Sequence, residues 1–214
     1  MSGEDPGSDV RAAIDACGVI AILRGGYLER LPGIIGAIHA GGVRAVEISL
    51  NSPDALLQIS RAVRHASGRL VVGAGTVLTC DEVKKVHDAG ARFTVSPVVD
   101  PDVISTALRL GLTPIPGAYT PTEVRLAAGA GAAAVKLFPA RTLGADFVRA
   151  LLVPFPDVRL VPTGGVTLED AHRFARAGAW AVGIGTPLLG DGTDAAGNLE
   201  QRARSFVSAM RPPA

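Results

Sequence analysis

The 214-residue chain repeats one pattern eight times: a short apolar run, a polar or Gly-rich turn, then an amphipathic segment. The runs lie at 18–23, 45–50, 70–73, 93–96, 112–115, 133–138, 159–161 and 179–184, at intervals of roughly 20 to 27 residues. They are nearly continuous in apolar character and do not alternate, which is the pattern of parallel strands covered on both faces. The segments at 31–40, 53–65, 81–89, 101–110, 121–128, 145–152, 168–177 and 198–210 carry apolar residues at helical spacing. Start signals precede several of them, in Ser52-Pro53, Asp100-Pro101 and Thr120-Pro121, and Gly41, Gly90, Gly111 and Gly178 follow as stops. The phrases Ala40-Gly41-Gly42-Val43, Asp88-Ala89-Gly90-Ala91 and Arg176-Ala177-Gly178-Ala179 repeat the same stop and restart.

Eight strand–helix units predict an α/β fold, a single-domain (β/α)₈ TIM barrel over 10–210, with loose tails at 1–9 and 211–214. A doubly wound open sheet is the rival. It calls for a GxGxxG turn after the first strand, and the first run ends instead in Leu23-Arg24-Gly25-Gly26.

Composition narrows the function classes. Hydrophobic residues make 48% and charged residues 19%, enough for a substantial core and too little charge for a disordered chain. A net charge of +1 argues against a general nucleic-acid surface or a polybasic membrane patch. The longest uncharged stretch, 177–190, is shorter than the roughly 18 apolar residues of a membrane span. An acidic, polar start and only two cysteines, Cys17 and Cys80, predict a cytoplasmic protein with no disulfide framework.

In a barrel the chemistry sits where the strands end at their carboxyl side. The polar residues falling there are Arg24, Glu47, Thr76, Ser96-Pro97, Lys136, Thr163-Gly164-Gly165 and Gly183-Ile184-Gly185-Thr186. Lys136 is the sharpest. The chain has 21 basic residues, of which three are lysines. Lys84 and Lys85 lie among acids on a solvated helix face, and Lys136 alone is set in an apolar strand. Burial lowers an ammonium pKa, and a neutral amine can attack a ketone to form a Schiff base; an arginine could not lose its proton there. The plainer reading is a lysine that snorkels or pairs with an acid. Glu47, between Val46 and Ile48, is the natural companion for proton exchange, or else half of a structural ion pair.

The glycine turns after the seventh and eighth runs can cradle a phosphate with main-chain N–H groups, or serve as ordinary tight turns. Arg24 can hold a carboxylate or phosphate by a fork-like pair, or lie solvated. His39, His65, His87 and His172 all fall in helical segments without ligand spacing, which argues against a histidine-bound metal. No Ser-His-Asp signature and no P-loop is present.

With these residues laid out, the chain resembles the 2-keto-3-deoxy-6-phosphogluconate / 2-keto-4-hydroxyglutarate aldolase family from about Val19 to Leu189. The segments that carry the likeness include Ala21-Ile22-Leu23-Arg24, Val46-Glu47-Ile48, Gly73-Ala74-Gly75-Thr76-Val77, Val95-Ser96-Pro97, Val135-Lys136-Leu137-Phe138-Pro139 and Val161-Pro162-Thr163-Gly164-Gly165-Val166. The resemblance implies a class I aldolase on a (β/α)₈ fold. Lys136 would be its Schiff-base lysine and Glu47 its general acid/base. Thr76, Pro97 and Phe138 would line the pyruvate pocket. Gly164, Gly165, Gly185 and Thr186 would form the phosphate site, and Arg24 would be an active-site arginine. It further implies a cytoplasmic homotrimer that uses no metal or other cofactor, with a phosphorylated sugar acid and pyruvate as its small-molecule partners.

One departure stands out. Where many phosphogluconate-type members carry an arginine after the glutamate, this chain has Asn51, in Leu50-Asn51-Ser52-Pro53. That phrase looks more like the 2-keto-3-deoxy-6-phosphogalactonate branch, whereas 136–165 looks more like the gluconate enzymes. The reaction implied is cleavage to pyruvate and glyceraldehyde 3-phosphate, with 4-hydroxy-2-oxoglutarate as a further substrate. Two alternatives stay open: a phosphosugar epimerase or isomerase barrel, and a non-catalytic sugar-acid-phosphate binder.

Overall fold

The computed structural model describes residues 7–190 and 196–211; the expected tails at 1–6 and 212–214 lie outside the described residues. Nine short parallel strands alternate with helices. They are β1 (Val19–Leu23), β2 (Ala45–Ser49), β3 (Val71–Gly75), β4 (Phe93–Val95), β5 (Thr113–Ile115), β6 (Gly117–Ala118), β7 (Val135–Leu137), β8 (Leu160–Pro162) and β9 (Val182–Ile184). The helices are α1 (Ser8–Cys17), α2 (Leu31–Ala40), α3 (Ala55–Ala66), α4 (Cys80–Asp88), α5 (Pro101–Arg109), α6 (Pro121–Gly129), α7 (Ala140–Leu152), α8 (Leu168–Arg176), α9 (Thr186–Leu189) and α10 (Ala196–Met210). Among the described residues no helix is long and apolar enough to cross a membrane.

The strands form a curled parallel sheet in two parts, ordered β5-β4-β3-β2-β1-β9 and β6-β7-β8. The fifth strand, expected at 112–115, is β5, and a further short strand, β6, follows Pro116, which has no N–H to give to a ladder. Its carbonyl still accepts from the Lys136 N–H at 2.8 Å, and the Pro114 carbonyl accepts from Ala133 at 3.1 Å. Across the other seam Thr163 bridges Gly183, and Trp180 donates to the Leu160 carbonyl at 3.0 Å.

Side chains leave each strand on alternate faces. Val46 and Ile48 on β2, and Val135 and Leu137 on β7, pack outward into the layer beneath the helices. Ala45 and Ala134 point inward with Ile20, Phe93, Val95 and Ile115. Glu47 and Lys136 alternate with those outward residues and so share the inner face.

Three helix starts carry reciprocal capping boxes, Thr79 with Glu82, Thr120 with Glu123 and Thr167 with Asp170, and Asp100 caps α5 ahead of Pro101. The start expected at Ser52-Pro53 falls later, at Ala55. Ser52 is engaged elsewhere: its Oγ accepts from the Gly25 N–H at 3.0 Å. The helix expected from 145 reaches back to Ala140 across Gly144, whose φ of 73° interrupts it.

Helix α1 was not among the expected elements, and it begins at Ser8, inside the segment read as a tail. Its Val10 and Ile14 join the inward cluster with Ile20, Ala45 and Phe93 at the amino ends of the strands. Asp9 pairs with Arg92 at 2.8 Å, and Trp180 Nε1 donates to Asp15. The helix therefore plugs the end of the sheet opposite the strand carboxyl ends.

Candidate active site

Residues at the carboxyl ends of the strands surround a cavity of about 390 Å³. Lys136 opens into it from the inner face of β7, with 5% of its surface exposed. Its Nζ stands 5.0 Å from the centroid of the Phe138 ring, which also lines the cavity. Phe138 lies in the turn directly after β7, two residues beyond Lys136. The level of Lys136 is kept open by its neighbour: it pairs with Gly117 on β6.

Glu47 is 3% exposed and sits on β2 between Ile22 and Gly73 in the ladder. Gly75 leaves it room, because a Cβ there would lie 2.6 Å from Glu47 Oε1. No ion pair within 4.0 Å joins Glu47 to Lys136 among the described residues, yet each acts on the other through space. Burial pushes the Glu47 carboxyl above the usual carboxylate range, against the opposing charges of Lys136 and Arg24. Burial likewise pulls the Lys136 amine below its usual value; Glu47 works against that and Arg24 adds to it. The low-dielectric interior thus drives both groups toward neutrality, and their mutual attraction restores part of the charge.

The expected site residues divide into two sets. Arg24 and the Gly164-Gly165 turn line the same cavity as Lys136 and Phe138. Gly185 and Thr186 line it too, at the start of the short helix α9. Glu47, Thr76 and Pro97 lie outside that lining. Thr76 follows β3 in the left-handed region, with φ of 61°, and its Oγ1 is 3.0 Å from the buried Ser49 Oγ. The Pro97 carbonyl lies against β6, its carbon and oxygen each 2.4 Å from where a Cβ on Gly117 would stand.

Tyr27 and Arg141 are among the lining residues not singled out from the sequence. Tyr27 stands on the loop after β1, and Arg141 on the first turn of α7. Among the described residues, no group of three or more His, Cys, Asp or Glu side chains is placed to hold a metal ion.

This arrangement offers an amine held toward its nucleophilic form, a carboxyl held toward its acid form, and a glycine-lined far wall. It is suited to covalent capture of a carbonyl with proton transfer alongside. Known proteins point the same way. The family model for KDPG and KHG aldolases matches residues 10–203. The probable 2-dehydro-3-deoxy-6-phosphogalactonate aldolase of Rhizobium meliloti is 41% identical over 192 residues, covering 89% of this chain and 90% of that protein. The native KDPGal structure superposes with a TM-score of 0.84 at 34% identity, covering 89% of this chain and 93% of that one. The KDPG aldolase of Legionella pneumophila, with pyruvate captured as a covalent carbinolamine intermediate, gives 0.82 at 25% identity, covering 93% and 97%. A family model spanning nearly the whole chain and a relative alike across nine-tenths of both proteins establish that this chain belongs to the KDPG and KHG aldolase family.

Proposed function

We propose that this chain is a class I aldolase that cleaves a 2-keto-3-deoxy-6-phospho sugar acid to pyruvate and glyceraldehyde 3-phosphate, with Lys136 as the Schiff-base residue. The observation that carries the reading is a buried lysine amine on an inner strand face, opening into a glycine-lined cavity and electrostatically coupled to a buried carboxyl. The phosphogalactonate substrate is favoured over its C4 epimer by the Asn51-Ser52-Pro53 phrase and by the names of the Rhizobium relative and the KDPGal structure. 4-Hydroxy-2-oxoglutarate is the expected lesser substrate.

In the proposed reaction the neutral Lys136 amine adds to the C2 ketone, and Glu47 in its acid form gives its proton to the departing hydroxyl, so that water leaves, a protonated imine remains and Glu47 is left as a carboxylate. Glu47 takes the proton from the C4 hydroxyl, the C3–C4 bond breaks, and its electrons move into the imine as an enamine. Glu47 then returns a proton to C3, and hydrolysis frees pyruvate. The positive imine exists only after binding, so nearby groups stabilise the reacting state more than the bound substrate. Thr76, Pro97 and Phe138 enclose the pyruvate portion. Gly164, Gly165, Gly185 and Thr186 hold the phosphate, and Arg24 faces the carboxylate end. Neither step calls for a metal. The hydrogen bonds crossing both seams of the sheet support a closed (β/α)₈ barrel over 10–210, and the resemblance supports a cytoplasmic homotrimer. An epimerase or isomerase is less well supported, since acid/base chemistry alone has no use for the buried amine, and a non-catalytic binder has no use for the coupled pair.

Incubation with pyruvate and borohydride, followed by peptide mapping, tests the reading. Trapped pyruvate is expected on Lys136 alone, and its absence would sink the proposal. Pyruvate release from the two C4 epimers then decides the configuration.

A further inference from the structure

The cavity has two cationic ends. Arg24 stands close enough to Lys136 and Glu47 to act on both charges. Arg141 is not among the groups acting on either; it lines the cavity against the Gly164-Gly165 turn. Its main-chain N–H donates to the Gly164 carbonyl at 3.3 Å. Its stem lies flat on Gly165, where a Cβ would meet Arg141 Cδ at 3.2 Å and Cβ at 3.4 Å. Gly165 has φ of 72° and Gly164 of 99°, so the turn also needs glycine for its backbone. Among the described residues no main-chain carbonyl takes the N–H groups of Gly164, Gly165 or Gly185.

The Arg141 guanidinium makes no ion pair and no side-chain hydrogen bond among the described residues. Some exposed arginines elsewhere do, Arg149 with Asp146, Arg173 with Glu169 and Arg204 with Glu200, and others such as Arg125 and Arg176 do not; what sets Arg141 apart is that it lines the cavity with Lys136. No described acid lines the cavity to neutralise Arg24, Lys136 and Arg141. A cation laid against a turn of free N–H donors, with no acid of its own, is built to meet an anion from outside. A planar guanidinium matches a phosphate through two parallel hydrogen bonds.

We propose that Arg141 grips the terminal phosphate of the substrate and sets a preference for phosphorylated over unphosphorylated keto acids. The proposal rests on the aldolase reading of the same cavity, and it assigns a role to a residue that the family resemblance does not. Arg141 is a positioning residue in this scheme: it holds the far end of the substrate so that C2 and C4 meet Lys136 and Glu47.

The test compares wild type and Arg141→Ala on the phosphorylated C4 epimer that the enzyme turns over and on 4-hydroxy-2-oxoglutarate, which has no phosphate. Loss of a charged hydrogen-bonding partner predicts that KM for the phosphorylated substrate rises about 10- to 100-fold, with a smaller change in kcat. KM for 4-hydroxy-2-oxoglutarate should stay at the wild-type value, and inorganic phosphate should inhibit the variant less than wild type. Unchanged KM for the phosphorylated substrate, or an equal loss on both substrates, would overturn the proposal. Arg141 is exposed, so the variant should fold. Borohydride trapping of pyruvate on Lys136 should be equal in both proteins. Failure of that trapping in wild type would instead overturn the aldolase reading itself.

Discussion

The buried amide of Gln58 donates from Nε2 to the Gly25 carbonyl at 2.9 Å, and so ties helix α3 to the loop that begins with Arg24. The same Nε2 donates to the Pro53 carbonyl at 2.6 Å, and Oε1 accepts from the Tyr27 N–H at 3.2 Å. With the Ser52 bond to Gly25, one side chain and its neighbour hold the whole approach of the loop. The Asn51-Ser52-Pro53 phrase, a departure from the gluconate-type pattern, therefore has a structural use here.

Gln58→Leu should remove all three bonds and leave buried main-chain groups unpaired, at about 2–3 kcal/mol in denaturant unfolding. Arg24 should then stand less firmly near the amine. Since Arg24 helps to lower the Lys136 pKa, the acid limb of the kcat/KM–pH profile should move to higher pH. A variant that loses stability but keeps the wild-type profile would show that the loop does not position Arg24.

Thr76 occupies left-handed backbone that a β-branched residue avoids. Thr76→Gly and Thr76→Ala both lose the hydroxyl bonded to Ser49, but only glycine relieves the backbone. The glycine variant should be more stable than the alanine variant by about 1 kcal/mol, while both show a raised KM for the keto-acid substrate. Equal melting temperatures would show that the conformation carries no strain.

The strand–helix repeat was legible because burial on two faces leaves apolar runs and the helix boundaries carry their own capping residues. What escaped was local competition. Ser52 looks like a helix cap, but its oxygen serves the Gly25 loop, so α3 starts later. Pro116 follows the fifth apolar run, and the two-residue strand β6 beyond it was not expected. Helix α1 precedes the first strand and belongs to no repeat unit, although Val10, Ile14 and Cys17 have helical spacing.

Within the site, Lys136 and Glu47 were legible because ionisable groups are rare in apolar strands. Arg141 was not, since one arginine among many on a helix start carries no signal until the glycine turn is seen beneath it. Pro97 and Thr76 show the converse. Sequence order brought them to the strand ends, they are not among the residues lining the cavity with Lys136, and their part in the pyruvate pocket rests on the family resemblance.

Ile14 gives a control at the far end. Its side chain is fully buried under the amino ends of the strands. Ile14→Ala should cost about 2–5 kcal/mol of unfolding free energy through lost burial and a cavity. kcat per folded molecule should be unchanged, because the reacting groups lie at the other end of the strands. A loss of kcat at full folding would mean the plug also shapes the site.

Lys136→Met should change how stability depends on pH, and in a direction fixed by Glu47. In the native protein the Lys136 charge is the strongest opponent of the burial that raises the Glu47 pKa. Without it the carboxyl rises further. The folded variant then keeps a proton on Glu47 at pH values where the unfolded carboxyl, titrating near 4.5, has lost it. A folded state that binds more protons loses stability as pH rises. Lys136→Met should therefore weaken as pH rises above the unfolded carboxyl's value near 4.5 and continue to weaken up to the raised pKa of folded Glu47 in urea titrations, more steeply than wild type. Lys136→Met combined with Glu47→Gln removes the titrating group, and its stability should be flat over that range. Replacing coupled, buried ionisable groups by uncharged side chains of similar size is often neutral to stabilising by about 1–4 kcal/mol, so the double variant should equal or exceed wild type near neutrality. Neither variant should turn over substrate. A flat profile in Lys136→Met alone would show that Glu47 does not depend on the lysine charge, and the coupled amine–carboxyl pair would have to be abandoned.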